Sequence, residues 1–186
     1  SADLTVQLAE SLARPINDAA TAILGAITAG GKVFAYGSGA SMADAQRLVA
    51  ALVGQFERDR PALAAVSLLG DVSVVAALLG SDSMAHAAAK QLQALAAPED
   101  VLLVVVAEQP PDSITALIAA AHDKEMVVVA LTGRSPGVVA QALGEADVHM
   151  AVAHERVARI QEIHVLALHC LCDAVDLQLM GEQDLT

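Results

Sequence analysis

Basic residues are scarce in this chain. Its 186 residues carry 10 Lys and Arg against 22 Asp and Glu, a formal net charge of −12. Gripping the phosphate backbone of a nucleic acid needs clustered Lys and Arg, so direct nucleic-acid binding is excluded. Cysteines are few as well: Cys170 and Cys172 stand two apart inside an apolar, helix-like run. On a helix that spacing points the side chains in different directions, which argues against a local disulfide or a metal pair. They read as small core residues in a reducing compartment, and a cytoplasmic location is expected. No signal peptide is visible, and no run of about 18 apolar residues offers a bilayer span, so no membrane contact is expected. Repeats, linkers and low-complexity tracts are lacking too, which leaves one domain.

What the chain does have is apolar residues, 55% of the total. Such an excess over the needs of one core suggests subunit interfaces, because obligate interfaces resemble a bisected core. Apolar runs alternate with helical patterns. Helices are expected over 3–13 and 15–29, divided at Arg14-Pro15, with Gly30-Gly31 ending the second. Strands are expected over 32–36, 64–68, 101–106, 126–131 and 148–152. A helix follows the first strand to about Val53, others start at Asp71-Ser73 and span 83–95, and a long last one runs from about Glu155 to Met180. Strands separated by helices imply a parallel sheet covered on both faces.

Two strand-to-helix turns matter for function, since ligands of such folds sit outside the carboxyl ends of the strands. The first, Gly37-Ser38-Gly39-Ala40-Ser41, has the small residues and hydroxyls that a phosphate loop uses at a helix N-terminus. Ser41 with Asp44 three residues on also fits a capping box, whose role is to start the helix. The second, VAEQPPDS, offers Glu108, Pro110 and Pro111, which supply a repelling carboxylate and two residues without an N–H.

GGKVFAYGSGASMADAQ, QFERDRPAL, ALTGRSPG and ARIQEIHVLALHCLCD occur in this order over roughly 30–184. Together they resemble the sugar isomerase (SIS) domain family, in the branch of phosphoheptose isomerase and the DnaA initiator-associating protein DiaA. CLCDAVDLQLMGEQD is similar to the DiaA-like members. The resemblance implies an α/β fold, a three-layer α/β/α sandwich around a five-stranded parallel flavodoxin-like sheet, with N-terminal helices and a long C-terminal helix. Residues 1–29 would form a helical segment that packs in the oligomer and 30–186 the SIS domain, and the assembly would be a homotetramer with sites between subunits.

Carried over position by position, the family's first phosphate loop, GNGGS, is largely kept, so Ser38, Gly39 and Ser41, with Asp71 nearby, are the remnant of a ligand site. Its second, STSGNS, falls on 106–111 and is gone. The His and Glu that metal-binding members carry four apart on the first helix are here Arg47 and Ala51. The Gln and His of the last helix survive as Gln161 and His169. Ala51 stands at the position of the catalytic base and cannot take a proton, so no catalytic residue is assigned, and with two of four ligands missing no zinc or other cofactor is expected. Most histidines on an apolar face, as His169 and His164 are, serve as core or interface residues. One or both of Arg47 and Glu108 are expected to occupy the vacated space, with Arg47 paired to a carboxylate from its own or a neighbouring subunit. The acidic tail with Leu179-Met180 is a candidate protein-docking spot.

On these grounds the chain reads as a non-catalytic tetrameric scaffold resembling DiaA, acting in the regulation of replication initiation with DnaA as its partner. The alternative is an active isomerase of sedoheptulose 7-phosphate, or a sensor that binds a phosphosugar weakly at the half-site.

Overall fold

The computed structural model describes residues 2–78 and 83–181. Five parallel strands, β1 (Val33–Gly37), β2 (Ala65–Ser67), β3 (Val101–Val106), β4 (Val127–Thr132) and β5 (Val148–Ala151), form one sheet in the order β2-β1-β3-β4-β5. All six residues of β3 are buried. A central parallel strand is covered on both faces, so it needs no polar alternation. Successive residues still serve opposite layers. Val33, Ala35, Leu103 and Val105 pack toward α1 (Ala2–Thr28), α2 (Met42–Val53) and α7 (Val157–Met180). Phe34, Tyr36, Leu102, Val104 and Val106 pack toward α4 (Met84–Leu95), α5 (Ile114–His122) and α6 (Gly137–Ala142), with α3 (Val72–Leu78) at the margin. This is the expected three-layer flavodoxin-like fold.

The N-terminal region departs from expectation: α1 is one helix with Pro15 inside it, where two were expected. Proline forgoes one backbone hydrogen bond and crowds the preceding turn. Leu12, Ala19, Ala20, Ile23 and Ala26 are buried on both sides of Pro15, and packing that stripe into the core offsets the defect. The last helix corrects a second expectation, because α7 is long and apolar enough by composition to cross a membrane. In the fold it is a core helix, with Ile160, Ile163, Ala167, Leu168, Leu171 and Val175 buried.

Two charged clamps fix the layers. Buried Asp100 accepts hydrogen bonds from the Lys32 and Ala97 N–H groups, each at 2.8 Å, and pairs with Lys32 Nζ at 2.9 Å, tying β1 to β3 at their amino ends. Arg60 Nε pairs with Asp176 Oδ1 at 2.5 Å, both side chains being at most 1% exposed. The same guanidinium donates to the carbonyls of Ala51 (2.8 Å) and Leu52 (2.9 Å), which caps α2 and fastens it to α7.

Candidate functional site

Strand order reverses between β1 and β3, so their carboxyl ends open the crevice where doubly wound folds hold ligands. The loop after β1 is shaped by its glycines. Gly39 adopts φ +58°, and a Cβ on Gly37 would run into the Ser41 carbonyl and the Met42 nitrogen. The loop is stitched to β3: the Ser38 N–H donates to the Val105 carbonyl at 3.0 Å, and Ser41 Oγ accepts from the Ala107 N–H at 3.3 Å. Ser41 is buried and makes no cap hydrogen bond, which corrects the capping-box reading. Its hydroxyl holds the two loops together.

Beside this stitch lies a cleft of about 370 Å³ lined by Tyr36, Ser38, Gly39, Met42, Ser83 and Ser113, among others. Tyr36 is 2% exposed; burial raises its phenol above the ordinary tyrosine range, and a hydrogen bond with the Ser38 side chain pulls it back. Among the described residues no Lys or Arg lines this cleft. Ser38 and Gly39 therefore stand where the sequence places them, whereas Tyr36, Ser83 and Ser113 were missed. Their only signal was position: Ser83 and Ser113 precede helices whose N-termini the fold turns toward the first loop.

The turn after β3 is divided. Pro111 and Ser113 face the Ser38 cleft, while Glu108 and Gln109 line a second cleft of about 220 Å³ with Arg134, Ser135, His154 and Glu155. Arg134 is ion-paired to Glu155 there. Glu108 thus lines the second cleft and not the one beside the candidate phosphate loop. Arg47 is exposed on α2 and lines neither cleft, so within its own chain it does not occupy the ligand space. The physical reason is helical phase, since Ala45, Leu48 and Leu52 form the buried face of α2 and Arg47 stands outside it. Asp44 of the same helix is 6% exposed; burial raises its carboxyl above the usual range, and the Arg47 charge works in the other direction.

Gln161 and His169 lie half-buried on α7, where the His169 ring sits 5.3 Å from that of Phe56. On α2 the positions carried over with them hold a cationic Arg47 and the methyl group of Ala51. Among the described residues no three His, Cys, Asp or Glu side chains converge. His164 faces the other way, its Nε2 3.1 Å from the Thr132 carbonyl and its Nδ1 buried without a partner. Arg159 and Glu162 form the expected pair, at 2.6 Å. Asp71 is exposed and its carboxylate accepts from the Ser73 (2.7 Å) and Val74 (3.2 Å) N–H groups, so it caps α3. Leu179 is half-buried and packs on the core, beside half-buried Met180; 182–186 of the proposed docking tail lie outside the described residues.

The SIS domain profile matches residues 1–133. The chain belongs to the SIS domain family. Within it, the chain is 55% identical over 186 residues to a phosphoheptose isomerase of Methylibium petroleiphilum, covering 100% of this chain and 93% of the relative. It is 41% identical over 184 residues to that of Aromatoleum aromaticum, covering 99% and 93%. Among solved SIS structures, a phosphoheptose isomerase from Francisella tularensis superposes with a TM-score of 0.86 at 36% identity, covering 95% of this chain and 92% of the other. These whole-chain likenesses overturn the reading of a non-catalytic DiaA-like scaffold in replication initiation, because relatives matched from end to end carry the isomerase name.

Proposed function

We propose that this SIS chain acts on a phosphorylated heptose, sedoheptulose 7-phosphate, as an aldose–ketose isomerase of the phosphoheptose isomerase type. The observation that carries this reading is the 55% identity to a phosphoheptose isomerase across all 186 residues. The Ser38 cleft at the strand-order reversal supports it, being of a size for a small ligand. Isomerisation moves a proton between adjacent carbons and needs a side chain that accepts and returns it. Ala51 cannot. His169, the imidazole retained among the four positions carried over from the family, is the candidate for this role, and it lies outside the lining of the Ser38 cleft. In the assay, purified protein is incubated with sedoheptulose 7-phosphate and the aldose product is followed. Conversion above the buffer background that disappears in His169→Ala supports the reading.

The methyl group at Ala51 favours a second reading, in which the phosphosugar is bound and sensed without turnover. Stabilisation of the fold by sedoheptulose 7-phosphate with no product formed selects it. The assembly we infer is a homotetramer in the cytosol. The apolar groove of about 340 Å³ between α1 and α7, lined by Leu8, Leu12, Ile16, Ile163 and Leu166, supports a covered face.

A further inference from the structure

His169 differs from the other histidines of the chain. His86, His122, His149, His154 and His164 each share a hydrogen bond with a side chain or backbone group. Among the described residues His169 has none, and its imidazole packs on the ring of Phe56. The two centroids are 5.3 Å apart and the planes are tilted by 40°, inside the range where aromatic pairs attract and prefer particular orientations. Phe56 is itself well held, because it packs on the apolar core from the segment that joins α2 to β2. Further along that segment, Arg58 Nη1 donates to the Gly181 carbonyl at 3.0 Å and Arg60 pairs with Asp176. His169 and Asp176 stand at i and i+7 on α7 and share one of its faces, so the segment is fastened along the helix beside the imidazole.

A histidine that exchanges protons with a substrate needs a fixed ring plane and unoccupied nitrogens. A hydrogen bond within the chain would fix the ring but occupy a nitrogen, whereas a ring contact fixes it and occupies neither. Resting on the reading that this chain isomerises a phosphosugar with His169 accepting and returning the proton, we propose that Phe56 is the positioning residue of His169. Its ring sets the plane of the imidazole and leaves Nδ1 and Nε2 to the substrate. Phe56 acts through His169 and touches no reacting atom itself.

Steady-state kinetics on sedoheptulose 7-phosphate, together with NMR of the imidazole signals, tests this on the full chain. The His169 signals are those missing from His169→Ala. Phe56→Leu keeps an apolar side chain and removes the ring. Because small misplacements of a reacting group cost rate, its kcat should fall on the order of ten-fold or more with KM little changed. Its His169 signals should also lose the ring-current shift that Phe56 imposes. Phe56→Tyr keeps a ring and should recover most of kcat and of the shift, which a role in packing alone does not predict. Phe56→Met serves as a second ring-free variant should Phe56→Leu fold poorly. Unchanged kcat in the ring-free variants, or His169 signals that do not move, overturn the proposal and leave the isomerase reading intact. A wild-type protein that does not turn over the sugar phosphate overturns both.

Discussion

Arg60 is the most consequential single side chain for the geometry of the α2–α7 face. Its guanidinium is fully buried, pairs with Asp176 and holds the carbonyls of Ala51, Leu52 and Pro61. Arg60→Ala leaves the Asp176 carboxylate buried without its cation and uncaps the end of α2. Breaking one side of a buried pair costs about 3–5 kcal/mol. In a chain of this length each kcal/mol is worth roughly 2–4 °C, so the melting temperature should fall by roughly 6–20 °C. Calorimetry on wild type and variant measures it. The companion variant Arg60→Met with Asp176→Leu removes both charges and should recover a large part of the loss, since well-packed apolar replacements of buried pairs are often neutral. Arg60→Ala within about 1 kcal/mol of wild type would refute the reasoning and make the pair behave like one at the surface.

Other expectations concern acid, the first loop and the cysteines. Burial lowers the His164 pKa to about 4, so its neutral form is built into the fold. The unfolded chain binds that proton near pH 6.5, hence stability is full above about 6.5 and falls as the pH drops toward 4, by roughly 3 kcal/mol. Urea midpoints for wild type and His164→Gln measured across that window should show a shallower slope in the variant; equal slopes would refute it. Gly37→Ala puts a methyl group against the Ser41–Met42 backbone and should cost roughly 2 kcal/mol or more and abolish phosphosugar binding, checked by denaturation and calorimetry. Burial and Asp176 push the Cys172 thiol up to about 12, so iodoacetamide should modify Cys172 only after unfolding, as peptide mass mapping would report.

The sheet was legible because its strands are short, continuous aliphatic runs bounded by helical patterns; 101–106 coincides with β3 to the residue. The first loop was legible too, since glycine at 37 and 39 answers a local need of the backbone. Continuity of α1 through Pro15 was not, because tertiary burial on both sides of the proline overrode a local rule. The cleft was only half legible. Ser83 and Ser113 lie 45 and 75 residues from Ser38 in sequence and meet it only through the layered packing of α4 and α5. The Ser41 oxygen also accepts from the Ala107 N–H, a contact across 66 residues that no spacing rule supplies. Ala51 and the turn after β3 point away from catalysis by local chemistry alone, whereas the relatives matched from end to end carry the isomerase name, a likeness that no single position expresses.

The most direct measurement is the fate of sedoheptulose 7-phosphate itself, followed by NMR in the presence of the purified chain. The aldose signal should grow above the buffer background with wild type and not with His169→Ala. A ketose spectrum that stays unchanged at high protein concentration, while the sugar phosphate still raises the melting temperature, would contradict the isomerase assignment and leave a phosphosugar-binding protein.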